Sequence, residues 1–294
     1  MPFSENPCTR RELLKLGAAA GWALALSGCE SSSAPDPVVA NELRCFNVHP
    51  YTDAVMAAQI QALTNMRVNW VRMTLGILSD SAGPYIAAVR ANILGLIADF
   101  NLGPIDKALW PNMVETVIRR YPSIQYFQIL NEPEDFNGIA SREYVLDYLR
   151  PAHDLIRQKF PYVKIVSAAP YGQPGGIQDF ITMSLAGADQ YCDFRAAHIY
   201  FDQTVFAPWS AFRRATEKPL MVTETGMSSP TEQVNWWRNQ MADMRQILNT
   251  DYVFYYVLLD HPVSSGYEAI TGGFDARGNI VPATGSGLYD YLRG

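Results

Sequence analysis

Short runs of valine, isoleucine, leucine and aromatic residues recur along this chain, each followed by a stretch with helical character. Eight such runs can be marked: Arg44 to Val48, Trp70 to Leu75, Gly95 to Phe100, Tyr126 to Leu130, Lys164 to Ala169, Phe194 to Tyr200, Leu220 to Thr223 and Tyr252 to Leu259. Most are continuously apolar rather than alternating, which is the mark of strands covered on both faces, as in a parallel sheet. Strand and helix alternating eight times over this length favour an α/β chain closed into a single (β/α)8 TIM barrel. An open doubly wound sheet is disfavoured, since no glycine-rich phosphate loop follows the first run. The intervening segments carry helix signals of their own. Ser141 reads as a cap before Val145, Leu149, Ala152 and Ile156, which recur at helical spacing, and Thr231 as the cap of a helix running through Leu248. Pro122 and Pro161 stand just past helix ends, and the second helix, around Tyr85 to Ala91, is expected to be short.

The first residues stand apart from this rhythm. Thr9-Arg10-Arg11-Glu12-Leu13-Leu14-Lys15 opens an apolar stretch from Leu16 to Leu26 that ends in Leu26-Ser27-Gly28-Cys29. The stretch is too short to span a bilayer. It resembles a bacterial twin-arginine export signal with a lipobox, which implies that Cys29 becomes the lipidated first residue. A plain amphipathic helix accounts less well for paired arginines together with a small-residue-Cys end. Residues 1–29 are therefore read as signal, 30–41 as a flexible tether and 42–294 as one domain of about 250 residues, the size of one barrel. The expected location is the cell envelope, reached by the twin-arginine route and held to the membrane by the lipid.

Composition narrows the partners. With 23 basic and 29 acidic residues and a net charge of −6, the chain has no basic stripe, and nucleic acid is not an expected partner. Cys45 and Cys192 are the two cysteines of the domain and read better as separate buried thiols than as a disulfide, although that pairing stays open. No Cys/His spacing resembles a zinc site. Neither a metal nor an organic cofactor is expected, and the domain is expected to be a monomer.

Two tripeptides carry the chemistry: Asn131-Glu132-Pro133 after the fourth run, and Thr223-Glu224-Thr225 at the end of the seventh. Each places one carboxylate at the carboxyl end of a buried parallel strand, the end where barrel enzymes keep their active sites. A facing pair of carboxyl groups is what cleavage of a glycosidic bond requires. His49, Arg72, His198 and Tyr200 fall at or near other strand ends facing the same mouth. Taken singly, each has a bland reading: Asn-Glu-Pro as a turn, Arg72 as a structural ion pair, His198 as a hydrogen-bonded core histidine. Trp110 and Trp209 fall in segments expected to open on the active face, where an aromatic ring can stack on a pyranose. Tyr51, Phe136 and Tyr171 fall in similar loops. Of Trp236 and Trp237, at least one should be core.

As a set, these residues resemble glycoside hydrolase clan A, barrel enzymes with an acid/base and a nucleophile glutamate after strands four and seven. The resemblance spans Arg44 to Leu292, and its most specific pieces are Asn131-Glu132-Pro133, His198-Ile199-Tyr200 and Thr223-Glu224. The segments Gly273 to Asn279 and Pro282-Ala283 are similar to the stretch leading into the clan's last helix. It implies Glu132 as general acid/base, Asn131 as holder of the sugar 2-hydroxyl and Glu224 as nucleophile, with Arg72 and Tyr200 steadying the charge on Glu224. The two carboxyl groups are then expected about 5 Å apart, the spacing of a retaining enzyme. Strand eight departs from the pattern: where the clan commonly has a tryptophan, this chain reads Tyr256-Val257-Leu258-Leu259-Asp260, and Asp260 is expected to hydrogen-bond the sugar in place of stacking. That departure leaves the sugar open. Short loops favour an open groove and internal cleavage of a β-linked polysaccharide or oligosaccharide. Transglycosylation at the same intermediate and a glycan-binding lipoprotein without catalysis stay as alternatives.

Overall fold

The computed structural model describes residues 42–50, 53–76, 82–98, 105–205, 207–259, 273–274, 280–281 and 287–294, all within the unit Val38–Gly294. The elements in chain order are β1 (Cys45–Val48), α1 (Asp53–Asn65), β2 (Trp70–Leu75), α2 (Gly83–Ala88), β3 (Asn92–Ile97), α3 (Trp110–Arg120), β4 (Tyr126–Ile129), α4 (Pro133–Phe136), α5 (141–159), β5 (Lys164–Val166), α6 (Gly176–Leu185), β6 (Arg195–His198), α7 (Ser210–Arg214), β7 (Leu220–Thr225), α8 (233–248), β8 (Val253–Tyr255) and α9 (Leu288–Arg293). A short antiparallel pair, Gly273–Phe274 with Ile280–Val281, precedes α9. The sheet has eight strands in the order β5-β4-β3-β2-β1-β8-β7-β6, every pairing parallel. A parallel bridge between Val166 and Phe194 joins its two ends, so the expected (β/α)8 barrel closes. Among the described residues no helix is long and apolar enough to cross a membrane.

Two apolar clusters follow from the pleat, which sends alternate residues of each strand inward and outward. Cys45, Trp70, Leu94, Val166, Ala196, Met221 and Phe254 form a plug inside the barrel. The larger cluster lies between strands and helices: Phe46, Val71, Phe127, Ala197 and Val222 from the strands meet Val114, Val117 and Ile118 of α3 and Val145, Leu149, Ala152 and Ile156 of α5. One pleat above the plug come Asn47, Arg72, Gln128 and His198, all buried polar residues two positions after an inner or inward-leaning residue. The plug is the floor on which this polar layer stands. Cys45 and Cys192 are separate buried thiols, each pushed up to about 12 by burial.

Several element boundaries differ from expectation. β3 begins at Asn92, because Trp70 pairs with Asn92 and the polar start of the strand is carried by the ladder rather than by burial. β8 keeps its ladder only over Val253–Tyr255, although Val257, Leu258 and Leu259 are buried beyond it. β7 runs to Thr225, so Glu224 lies within the strand. Ser141 is not a cap: Ala140 takes that place, and the serine hydroxyl instead bridges Glu134 Oε1 (2.8 Å) and Asp179 Oδ1 (2.9 Å). Thr231 is not a cap either, since α8 begins at Gln233 after Glu232 and the Thr231 hydroxyl pairs with Ser229. Both long helices contain a π-turn, Tyr144–Leu149 in α5 and Trp236–Gln240 in α8. Each brings extra aromatics inward: Tyr144 and Tyr148 in one, Trp236 and Trp237 in the other.

Candidate active site

β4 ends in two residues with left-handed backbone, Leu130 (φ 65°) and Glu132 (φ 38°). A bulky residue at positive φ is uncommon and costs on the order of 1–3 kcal/mol, so the surroundings must hold it. They do: Leu130 N donates to Ile97 O (2.9 Å) and Glu132 N to Ala169 O (3.1 Å), tying the turn to β3 and to the segment after β5. Tyr144 of α5 adds a clamp, donating its hydroxyl to Ile129 O (2.9 Å) and accepting from Ala168 N (2.6 Å). The break sends Leu130 to the outer core and leaves Asn131 and Glu132 on the wall of a cavity.

β7 supplies Glu224 by a comparable irregularity. Met221 faces the barrel interior and Val222 the helices, so strict alternation would send Glu224 outward with Val222. Register shifts fall between Val222 and Thr225 against β8 and between Ala197 and His198 against β6, where His198 pairs with Glu224. Such irregularities re-aim side chains beside active sites.

The two glutamates meet. Glu132, His198 and Glu224 each offer one ligand atom, and these lie within 4.8 Å of one another. His198 stands between the carboxylates, with Nδ1 2.6 Å from Glu132 Oε1 and Nε2 3.4 Å from Glu224 Oε1. Arg72 reaches across the barrel: Nη1 donates to Glu224 Oε1 (2.7 Å) and Asn47 Oδ1 (2.8 Å), Nη2 to Asn131 Oδ1 (2.5 Å), and Nε to Gln128 Oε1 (2.6 Å). The Tyr200 hydroxyl donates to Glu224 Oε2 (2.9 Å). Burial alone would raise the Glu224 carboxyl; the charges of His198 and Arg72 and the Tyr200 hydrogen bond outweigh it and hold the group below its ordinary 4.5. Both Glu224 oxygens are thus bound to donors that favour the anion. Glu132 has a different company, His198 on one oxygen.

Glu134, in the same turn, is pushed up to about 7 chiefly by burial, with Asp179 and Glu132 adding to the effect against the hydrogen bonds from Ser141 and its own backbone. Ser141 has one proton and two carboxylate neighbours, so a proton on Glu134 completes the chain Glu134–Ser141–Asp179.

The cavity between these groups has a volume of about 400 Å³. Its polar wall is Asn47, His49, Arg72, Thr74, Asn131, Glu132, Glu224 and Tyr256; Val48, Met73, Leu96 and Phe136 supply hydrocarbon. His49 Nε2 lies 3.3 Å from the Tyr256 hydroxyl, the rings edge-on. Of the residues singled out from sequence, Glu132, Glu224, Asn131, Arg72, His49 and Phe136 line the cavity, with His198 and Tyr200 bonded to the two carboxylates.

Trp110 and Trp209 do not belong to it. Both are fully buried, their indole N–H groups donating to Tyr148 O (2.9 Å) and Phe201 O (3.1 Å), so they close packing between helices and loops. Asp260 and Cys29 lie outside the described residues, as do Tyr51 and most of the segment from Gly273 to Ala283. The aromatic on the β8 side is Tyr256. Sequence reasoning also passed over Asn47 and Gln128, although a lone amide within an apolar strand was the available signal.

Glu132, His198 and Glu224 are the one group among the described residues whose atoms are close enough to share a metal ion. The Arg72 guanidinium already sits on Glu224 Oε1, and the histidine turns a different nitrogen to each carboxylate, so a single ion would have to displace both arrangements.

The sequence matches no protein-family model and no curated protein. The fold matches solved structures well. A glucosidase from Croceicoccus marinus superimposes with a TM-score of 0.63 at 13% identity, covering 86% of this chain and 67% of that one. The catalytic domain of the GH30 xylanase C from Talaromyces cellulolyticus gives 0.60 at 13%, covering 86% and 76%. A GH2 β-galacturonidase from Eisenbergiella tayi bound to galacturonate gives 0.59 at 16%, and there the chain spans about half of the other protein, 51%, against 86% of its own length. At these identities the likeness establishes the TIM-barrel fold.

Proposed function

We propose that this protein is a retaining glycoside hydrolase that cleaves a β-linked polysaccharide or oligosaccharide by double displacement. The observation that carries the reading is a pair of glutamates from β4 and β7 with oxygens within 4.8 Å across a sugar-sized cavity, one of them bound on both oxygens by groups that favour its anion. An oxygen-to-oxygen gap this short is in accord with the roughly 5–5.5 Å between carboxyl groups of a retaining pair and leaves less room for a water than the about 6.5–9.5 Å of an inverting one. The barrel fold shared with a glucosidase and a xylanase is in accord.

In the first step Glu132 gives its proton to the glycosidic oxygen as the C1–O bond breaks. Glu224 attacks C1 from the opposite face, forming a glycosyl ester. In the second step the Glu132 carboxylate takes a proton from water, the water oxygen bonds to C1, and Glu224 leaves as the anion held by Arg72 and Tyr200. Arg72 fixes Asn131 by occupying its Oδ1, which aims the amide N–H2 as a donor toward a sugar hydroxyl. The short segments after the strands favour internal cleavage, and the likeness of residues 1–29 to a twin-arginine lipoprotein signal supports export and lipid anchoring through Cys29 in the cell envelope; on that reading Cys29→Ser should release the protein from membranes, and unchanged membrane association would refute it.

Two variants test the mechanism. Glu224→Gln should abolish hydrolysis while glycan binding persists. Glu132→Ala should slow substrates with poor leaving groups far more than activated aryl glycosides. Equal turnover by the first variant and its parent, or equal slowing of both substrate kinds by the second, would reject the assignments. Persistent binding with no turnover by the parent would favour a glycan-binding protein.

A further inference from the structure

We propose that the site takes neutral β-linked pyranosides and excludes glycosides whose reacting ring carries a carboxylate. This rests on the glycosidase reading above and goes beyond it by naming the substrate class. A uronic ring seated between Glu132 and Glu224 would bring a third carboxyl group into the cavity. A buried carboxylate needs a cation or several donors to offset its lost hydration. Among the described residues that line the cavity, Arg72 is the one arginine and no lysine is present; the Arg72 guanidinium already binds Gln128, Asn47, Glu224 and Asn131, His198 behind the wall is held between Glu132 and Glu224, and His49 Nε2 faces the Tyr256 hydroxyl. Much of the remaining wall is hydrocarbon, from Val48, Met73, Leu96 and Phe136.

The sequence that follows the barrel strands is equally poor in cations. Residues 49–52, 76–82, 130–140, 167–175, 199–209 and 226–232 contain no lysine or arginine. The stretch 98–109 holds Lys107, which is committed to Glu143 (2.6 Å) and Asp147 (2.8 Å) on α5. From 256 to 287 there is Arg277 alone. The same connections carry Asp80, Asp99, Asp202 and Asp260 besides the acids of the β4 turn. The cations gather in the connections that lead into strands, as Arg67, Arg90 and Lys218 do. The described cavity already holds Glu132 and Glu224, so a uronate there meets charge of its own sign, whereas a neutral sugar is indifferent to it.

The experiment compares matched substrates on the purified domain: aryl β-glucoside against aryl β-glucuronide, aryl β-galactoside against β-galacturonide, and neutral β-glucan, β-mannan and xylan against β-linked polymannuronate. Two like charges about 6 Å apart at an effective dielectric of about 20 set the expected gap at roughly 100-fold in kcat/KM, or about 2.7 kcal/mol. Turnover of neutral members with uronic ones at least that much slower supports the proposal. Turnover of a uronic member within about tenfold of the best neutral one overturns the substrate class and leaves the hydrolase reading standing. Absence of turnover on every member overturns both.

Discussion

Tyr200→Phe isolates one hydrogen bond at Glu224, the proposed nucleophile. The hydroxyl donates to Glu224 Oε2 over 2.9 Å, while the ring is wedged against Gly172, where an added Cβ would stand 2.4 Å from Tyr200 Cδ2. Removing the oxygen keeps the ring and its packing but strips one donor from a carboxylate whose other oxygen is held by Arg72. A hydrogen bond to a charged group is worth roughly 1.5–3 kcal/mol, so kcat/KM should fall roughly 10- to 150-fold. Because this bond is one of the forces holding Glu224 below its ordinary range, the acidic limb of the pH profile should move to higher pH. The assay is kcat/KM against pH with an activated aryl glycoside, for which glycosylation needs little help from Glu132. An unmoved acidic limb together with a kcat/KM within about threefold of the parent would refute the role given to Tyr200.

Three further variants probe the surroundings. The folded chain holds the Glu134 proton more tightly than the unfolded one, at about 7 against 4.5, so that contribution is full below pH 4.5 and is lost as pH rises through 7. It amounts to about 3 kcal/mol at most, and Glu134→Gln should flatten the fall in denaturant midpoint between pH 5 and pH 8; a parallel fall in the variant would contradict this. Gly172→Ala should displace the Tyr200 ring and lower kcat without unfolding the barrel, and a fully active alanine variant would show that the contact does not position the hydroxyl. Trp110→Phe should cost about 1–3 kcal/mol of stability through the lost bond to Tyr148 O, with kcat per folded molecule unchanged; a selective rise in KM would return Trp110 to the sugar site.

The barrel was legible because parallel strands covered on both faces leave continuous apolar runs, and that pattern survives without any knowledge of contacts. The meeting of Glu132 and Glu224 was legible for a related reason: a carboxylate at the end of such a run has few structural uses. What stayed hidden depends on backbone detail. Alternation alone turns Glu224 outward, and its place in the cavity coincides with register shifts in β7 that no single residue announces. Trp110 and Trp209 looked available because they open helices on the active side, yet each indole finds a carbonyl partner within the packing. Ser141 and Thr231 had the right chemistry for caps at positions displaced from the actual helix starts. Asn47 and Gln128 lie unremarked inside apolar runs, although a buried amide in an apolar strand must bond to something, and here both hold Arg72.

The central claim is that Glu224 becomes covalently bound to sugar while Glu132 moves the proton. Its most direct test is to incubate the enzyme with a 2-deoxy-2-fluoro glycoside of the preferred sugar carrying a good leaving group, quench in acid and map the adduct by mass spectrometry. The account predicts one added glycosyl group on the peptide containing Glu224, with net retention at the anomeric carbon in normal turnover. A first-formed product of inverted configuration, or an adduct on Glu132 instead, would contradict it.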